Sequence, residues 1–174
     1  RGAEVILGNA LIPSTFELAI AADTLVHLIG TPHPSPTKAA SFQSTDLASV
    51  HAALRAARVA GIKHFIYVSV AHPAPVMQAY ITVRQTGEKL IQASGMDATI
   101  LRPWYVLGPG HRWPYLLIPL YAILARLPPT RDGALRLGLV TLEQMVRALI
   151  MSVEQGATGI HVLNVPDIRN AKAA

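Results

Sequence analysis

The sequence predicts a doubly wound α/β domain, in which helices cover both faces of a parallel sheet. Short, nearly continuous apolar segments alternate along the chain with longer segments of helical spacing. Strands that are apolar on both faces are typical of a parallel sheet, because helices lie on both sides of it. The 174 residues, of which 51% are hydrophobic, are enough for one sizeable core. We therefore expect residues 1–174 to form a single domain.

Five apolar segments are predicted to be strands. They are residues 4–7, 24–29, 64–70, 98–101 and 160–165. The third segment is rich in the β-branched and aromatic residues that strands favour. Turn residues follow the first two segments: Gly8-Asn9 after the first, and the proline-rich residues 30–36 after the second. Glycine, asparagine and proline end strands because they favour turns and a restricted backbone.

Four segments between these strands are predicted to be helices. They are residues 14–22, 45–60, 76–94 and 141–153. Gly61 and Gly95 follow two of them at the position of a C-terminal cap. Thr141 and Gln144 have the spacing of a capping box, in which a hydroxyl and an amide side chain bond to each other's backbone N–H groups. The fourth helix is therefore expected to begin at this pair.

The composition excludes several classes of function. Cysteine is absent, which excludes disulfides, thiol catalysis and cysteine-ligated metals. The 7 histidines show no metal-ligand spacing, so we expect no metal site. The net charge is +5, but lysine and arginine are scattered, so we expect no nucleic-acid binding. No apolar segment reaches the length of a membrane helix, and we expect a cytoplasmic protein, with membrane association through a partner as an alternative.

Three segments carry a resemblance to a known superfamily. The first ends in Gly61-Ile-Lys-His-Phe-Ile-Tyr-Val-Ser69, the second runs from Tyr80 through Gly-Glu-Lys-Leu-Ile-Gln-Ala-Ser to Gly95, and the third is Thr99-Ile-Leu-Arg-Pro103. Together they resemble the extended and atypical short-chain dehydrogenases, including NAD-dependent epimerase/dehydratase-like proteins. The chain is most similar in character to NmrA-like NAD(P)-binding proteins and to the nucleotide-binding accessory subunit of respiratory complex I.

This resemblance implies a Rossmann-like sheet that is incomplete at its N-terminal side. Residues 4–9 resemble the third strand of that fold, and its opening strand, glycine-rich turn and second strand should precede them. The glycine-rich turn normally brings a helix N-terminus to the cofactor pyrophosphate. The implied cofactor is NADP or NAD, bound without the help of that turn.

The resemblance also implies a catalytic set of Tyr80, Arg84 and Ser69. Family chemistry uses a tyrosine hydroxyl as a general acid or base, with a lysine four residues later that lowers the tyrosine pKa. Here Arg84 stands at the lysine position, and Val70 at the position of the catalytic hydroxyl, next to Ser69. Two other interpretations remain open: Tyr80 is a packed tyrosine of its helix, and Ser69 only lines the pocket.

Further residues are assigned by the same resemblance. The predicted cofactor-binding residues are Gly8, Asn9, Gly30, Thr31, Arg102 and Pro103, and the predicted substrate-binding residues are His72, Trp104 and Trp113. Asn9 stands where the family has an aspartate that contacts the adenine. Asp46 stands where extended members carry an asparagine; the alternative is a solvated aspartate at the start of a helix.

Residues 104–135 are the most individual part of the sequence and are expected to cover the substrate or to contact a partner. The implied function is a weak NAD(P)H-dependent reductase of a hydrophobic carbonyl compound, such as a quinone, isoprenoid or lipid. The alternative is a non-catalytic accessory, assembly or sensor subunit that keeps the fold for interaction. In that case the apolar residues 112–127 would contact a protein complex or a membrane surface.

Overall fold

A computed structural model describes residues 2–108 and 116–172, and four parallel strands form its central sheet. The strands of the described residues are β1 (Thr24–His27), β2 (His64–Val68), β3 (Asp97–Leu101), β4 (Tyr105–Leu107), β5 (Leu139–Thr141) and β6 (Ile160–Leu163). The central sheet has the order β1-β2-β3-β6, and β4 pairs with β5 as a separate parallel pair. The carboxyl ends of the four central strands therefore lie at the same edge of the sheet.

Helices occupy most of the connections between these strands. They are α1 (Ala39–Ser41), α2 (Ala48–Val59), α3 (Gln78–Ser94), α4 (Ile118–Leu124), α5 (Arg131–Arg136), α6 (Leu142–Gln155) and α7 (Val165–Asn170). A π-helical segment, Phe42–Leu47, joins α1 to α2, and single 3-10 turns lie at Pro13–Thr15, Glu17–Ala19 and Pro36–Lys38.

Both faces of the sheet are covered, as the sequence predicts. Alternate residues of β2 point to opposite sides: Phe65 and Tyr67 pack in a core with residues of α2 and α3, whereas Ile66 packs in a second core with residues of α6 and α7. All three side chains are at most 1% exposed. This burial on both faces is what makes the strands of a parallel sheet uniformly apolar, and it confirms the doubly wound fold.

Several predicted helix ends are confirmed in detail. Gly61 adopts a φ of 68°, and the N–H of Ile62 donates to the carbonyl of Ala57, which closes α2 with a Schellman motif. Thr141 caps α6, where its side chain accepts from the N–H of Gln144 while the Gln144 side chain accepts from the N–H of Thr141. These helix ends depend only on residues that are close in the sequence, which explains why sequence spacing predicts them.

The prediction of a strand at residues 4–7 is wrong. These residues pair with no described strand, and Val5 and Leu7 are 79% and 89% exposed. A turn follows them directly, in which the N–H of Asn9 donates to the Thr15 hydroxyl. A short apolar segment forms a strand only where a neighbouring strand accepts its backbone hydrogen bonds, and among the described residues none does.

Two other predicted elements differ from the structure. The helix expected at residues 14–22 is two 3-10 turns, because Phe16 between them has a φ of −146°, outside the helical range. The last strand ends at Leu163, and Val165 instead begins α7. Within residues 104–135, the described part contains β4, α4 and α5. The apolar residues 114–125 are compatible with a helix, as α4 shows, whereas β4 and α5 have no clear signal in the sequence. No helix of the described residues is long and apolar enough to cross a membrane.

A buried histidine, His27, is the last residue of β1. His27 is 2% exposed, its Nε2 lies 3.1 Å from the Ser49 hydroxyl, and its ring stacks on Phe65. Burial lowers the pKa of His27 from 6.5 to about 4, and the positive charge of Arg84 adds to this effect. The unfolded chain therefore binds a proton at His27 at a higher pH than the folded chain does.

We expect this difference to make the fold acid-sensitive. Because the folded-state pKa of His27 is lowered, its contribution to stability is present above about pH 6.5 and is lost as the pH falls towards 4. Between pH 7 and pH 5 the free energy of unfolding should fall by about 2 kcal/mol through this residue. Urea unfolding of the wild type and of His27→Gln at both pH values measures it. The free energy of unfolding should fall more in the wild type than in the variant. An equal fall in both proteins would contradict the lowered pKa of His27.

Candidate functional site

A cavity of about 520 Å³, called here the Tyr80 cavity, lies at the carboxyl edge of the central sheet. It is formed where β2 and β3 end and α3 begins, and its lining includes Ser69, Val70, Tyr80, Pro103 and Trp104. Ligands of open parallel sheets bind outside the carboxyl ends of the strands. The structure thus brings Ser69, Tyr80, Pro103 and Trp104, which the sequence analysis singled out, into one cavity.

Tyr80 lies on α3 with its ring between an aromatic and a cationic neighbour. The Phe42 ring meets it edge-on at 5.1 Å between centroids, and the guanidinium carbon of Arg84 lies 5.1 Å from its ring centroid. Burial raises the pKa of Tyr80; Arg84 acts in the opposite direction, and Asp46 adds to the rise. The hydroxyl of Tyr80 is therefore protonated at neutral pH, so it is a proton donor and not a base.

The charge of Arg84 is neutralised by Asp46. One guanidinium nitrogen of Arg84 lies 2.7 Å from Asp46 Oδ1, and the other donates to the Val68 carbonyl at 3.0 Å. Arg84 is 5% exposed and Asp46 is fully buried, so solvent screens this pair little. The hydroxyl and N–H of Thr31 both donate to Asp46 Oδ2. The interpretation of Asp46 as a solvated aspartate is therefore wrong.

Gly30 leaves the space in which this ion pair lies. A Cβ atom at Gly30 would be 2.1 Å from Arg84 Nη2 and 3.3 Å from Asp46 Oδ1. Any larger residue at Gly30, in the loop after β1, would displace the guanidinium from its partner. Gly30 and Thr31 thus surround the Asp46–Arg84 pair, and Thr31 uses both of its donors on Asp46.

A second buried carboxylate lies one helical turn further along α3. Glu88 is 4% exposed and accepts two hydrogen bonds from Arg102, at 3.0 and 2.5 Å, and one from the Ser69 hydroxyl at 2.5 Å. The Nε2 atom of His72 lies 3.5 Å from the same carboxylate, and Gln85 contacts the other ring nitrogen. Since the Ser69 proton points to Glu88, Ser69 offers its lone pairs to the cavity.

Sequence reasoning missed Glu88, although the spacing contained a signal. Tyr80, Arg84 and Glu88 are each four residues apart, which places them on one face of α3. Two charged residues on the buried face of a helix require partners elsewhere in the fold. That rule predicts two buried ion pairs, but it does not identify Asp46 and Arg102 as the partners.

Other predicted site residues lie elsewhere. Gly8 lines a separate cavity of about 330 Å³ beside β1, which shares no lining residue with the Tyr80 cavity. The side chain of Asn9 is exposed and accepts from the N–H of Leu11. Trp113 lies outside the described residues. Among the described residues, no cluster of three or more metal-ligating side chains is found.

Comparison with known proteins identifies the family. A family model described as NAD(P)H-binding matches residues 1–112. The chain belongs to the NAD(P)H-binding family. An uncharacterized sugar epimerase of Bacillus subtilis strain 168, YhfK, is 34% identical over 111 residues, which are 59% of this chain and 50% of that protein. The chain therefore spans about half the length of this curated relative.

Solved structures share the fold. DesIV of Streptomyces venezuelae, a dTDP-glucose 4,6-dehydratase solved with NAD, superposes with a TM-score of 0.65 at 20% identity, over 90% of this chain and 56% of that one. A short-chain dehydrogenase/reductase superfamily protein of Agrobacterium tumefaciens with bound NAD gives a TM-score of 0.67 at 15% identity, over 94% and 66%. The fold is that of short-chain dehydrogenases and NAD-dependent epimerases and dehydratases, as the resemblance implies.

The Tyr80 cavity fits one end of the family's cofactor, a nicotinamide dinucleotide. Its walls are apolar apart from a few polar groups, the usual character of a cofactor site. Arg84 is 5% exposed and does not line the cavity, and its Nε–H is buried without a hydrogen-bond partner among the described residues. Tyr80 and Ser69 are among the polar side chains that a nicotinamide ring would meet there.

The ion pair should dominate the stability of this site. Asp46→Ala leaves the Arg84 charge buried without its partner, so we expect the free energy of unfolding to fall by about 3 kcal/mol or more. The double variant Asp46→Ala/Arg84→Met removes both charges and should recover most of that loss. Urea unfolding of the three proteins measures both effects. A double variant no more stable than Asp46→Ala would show that an unpaired charge is not the cause.

Proposed function

We propose that the chain forms the nicotinamide and substrate part of a slow NAD(P)H-dependent reductase that acts on hydrophobic carbonyl compounds. The observation that carries the proposal is the protonated hydroxyl of Tyr80 in an apolar cavity at the carboxyl edge of the sheet. Such a group can give a proton to a carbonyl oxygen as negative charge develops on it, and apolar walls strengthen that interaction.

Each residue has a distinct part in this proposal. A reduced nicotinamide, when bound, supplies the hydride that a carbonyl carbon accepts. Tyr80 donates the proton to the carbonyl oxygen, so that the product is an alcohol and the dinucleotide is left oxidised. Ser69, whose own proton is held by Glu88, accepts a hydrogen bond from an N–H or O–H group in the cavity. Trp104 and Val70 provide the apolar walls.

The proposed rate is low because the arginine cannot act as a lysine would. Arg84 supplies a positive charge near Tyr80, but Asp46 at 2.7 Å cancels much of its effect on the hydroxyl. Its planar head is also larger than an ammonium and is fixed by the Val68 carbonyl. Tyr80 is therefore a weaker acid than a tyrosine beside a free lysine, and proton transfer from it is correspondingly slower.

The direct test is the oxidation of NADPH and NADH in the presence of an apolar diketone such as 9,10-phenanthrenequinone. Tyr80→Phe removes only the hydroxyl, so we expect the rate to fall by about 100-fold or more while the Kd of the dinucleotide changes by less than about threefold. Because the pKa of Tyr80 is raised, the wild-type rate should not fall between pH 7 and pH 9. An unchanged rate in Tyr80→Phe would overturn the proposal.

The second candidate function is a non-catalytic accessory, assembly or sensor subunit. The neutralised Arg84 favours it, because a dinucleotide can bind beside an ion pair that contributes little to catalysis. The exposed apolar side chains of Leu116, Leu120 and Ile123, next to Arg126, are the described part of the proposed contact region 112–127. In this case NADPH binds but no carbonyl compound oxidises it, and Tyr80→Phe leaves the activity of any complex containing the chain unchanged.

A further inference from the structure

A second, larger cavity adjoins the Tyr80 cavity. It measures about 610 Å³ and lies between α4, α5 and the loop that follows β2. Its apolar lining includes Val76, Leu117, Leu120, Leu124 and Leu137. The volume lies in the range of small-molecule sites. Neither the proposed proton transfer at Tyr80 nor the dinucleotide accounts for this space.

Two aromatic side chains are common to the linings of both cavities. Trp104 and Tyr105 line both of them, and their rings meet edge-on at 5.5 Å between centroids. A molecule whose polar end lies at Tyr80 would have to pass Trp104 to reach the space between α4 and α5. Only a long molecule would occupy both cavities at once.

The polar groups of the second cavity are largely engaged with the protein itself. Arg136 donates through Nε to the carbonyl of Pro73 at 3.1 Å, and the Thr130 hydroxyl donates to the carbonyl of Leu124 at 2.7 Å. Asp132 and Arg136, which both line the cavity, carry opposite charges, so the cavity offers no net positive charge to a phosphate. This chemistry suits a hydrocarbon segment and disfavours the diphosphate of a nucleotide sugar.

We propose that the cavity between α4 and α5 binds the aliphatic tail of a substrate whose carbonyl head lies against Tyr80. The ligand class is a long-chain or isoprenoid carbonyl compound. This inference rests on the proposed function for the placement of the head, but tail binding needs no turnover. The cavity is open to solvent on one side, and each additional methylene that it covers should improve the affinity by up to about threefold to fourfold.

The cavity between α4 and α5 is called the tail cavity below. Gly133 allows it to be filled without disturbing the Tyr80 cavity. It lies in α5 and lines the tail cavity, and a Cβ atom there would meet no heavy atom within 4 Å. Gly133→Phe should therefore occupy the space with its ring. Gly133→Ala is the matched control, because it leaves the cavity open and only improves helix propensity. Leu120→Asp, on a side chain that is 49% exposed, places a charge in the same cavity by another route.

The experiment measures the Kd of 2-pentanone, 2-nonanone and 2-tridecanone for the full chain from tryptophan fluorescence. Wild type and Gly133→Ala should bind the longer ketones more tightly, by up to about tenfold for each two methylenes. Gly133→Phe and Leu120→Asp should bind 2-pentanone as the wild type does, but they should not bind 2-tridecanone more tightly than 2-nonanone. If Gly133→Phe no longer binds 2-pentanone, Leu120→Asp alone decides.

Three results would overturn the tail site. They are equal affinities for all three ketones in the wild type, an undiminished increase in Leu120→Asp, and UDP-glucose binding that 2-nonanone displaces and that Leu120→Asp abolishes. NADPH oxidation in the same samples keeps the two proposals apart. A chain-length dependence without NADPH oxidation supports the tail site and contradicts the reductase. NADPH oxidation with no chain-length dependence of ketone binding supports the reductase and contradicts the tail site.

Discussion

The buried ion pair between Asp46 and Arg84 holds together the segments at the carboxyl edge of the central sheet, where the Tyr80 cavity lies. It joins the end of β1, through Gly30 and Thr31, to the π-helical segment that carries Asp46 and to α3, which carries Arg84. An isolated charge at either position would be costly to bury, and the pair lowers that cost because Thr31 donates to Asp46 and Arg84 donates to the Val68 carbonyl. Among the described residues only the Nε–H of Arg84 in this pair is left without a partner. The position of Tyr80 on α3 depends on the same contacts.

The pair also determines what Tyr80 can do. A tyrosine beside an uncompensated cation is partly ionised and can act as a base, whereas Tyr80 keeps its proton because burial dominates and Asp46 opposes Arg84. The Glu88–Arg102 pair has the parallel effect on Ser69, whose proton it holds. The cavity thus combines one fixed donor and one fixed acceptor in apolar walls, and the adjoining space between α4 and α5 extends those walls.

Local and periodic features of the sequence predict much of the fold. The apolar segments of β2 and β3, the Schellman end of α2 and the capping box of α6 depend on neighbouring residues, so they can be recognised from spacing. Residues 4–7 could not be judged in this way, because a strand requires a partner strand. The resemblance places Tyr80, Arg84 and Ser69 near one another, but the partners Asp46 and Glu88 follow from long-range packing. Arg84 is 38 residues from Asp46 in the sequence, and no periodicity connects them.

The most direct test of this account is the ionisation of Tyr80 itself. The tyrosinate absorbance of the wild type, titrated from pH 7 to pH 11 with Tyr80→Phe as the reference, isolates the contribution of this one hydroxyl. The account predicts that the difference between the two proteins has its midpoint above pH 10, since burial raises the pKa of Tyr80 above its usual value of 10.0. A difference that titrates below about pH 9 would contradict it, because Arg84 would then act on Tyr80 as a free cation.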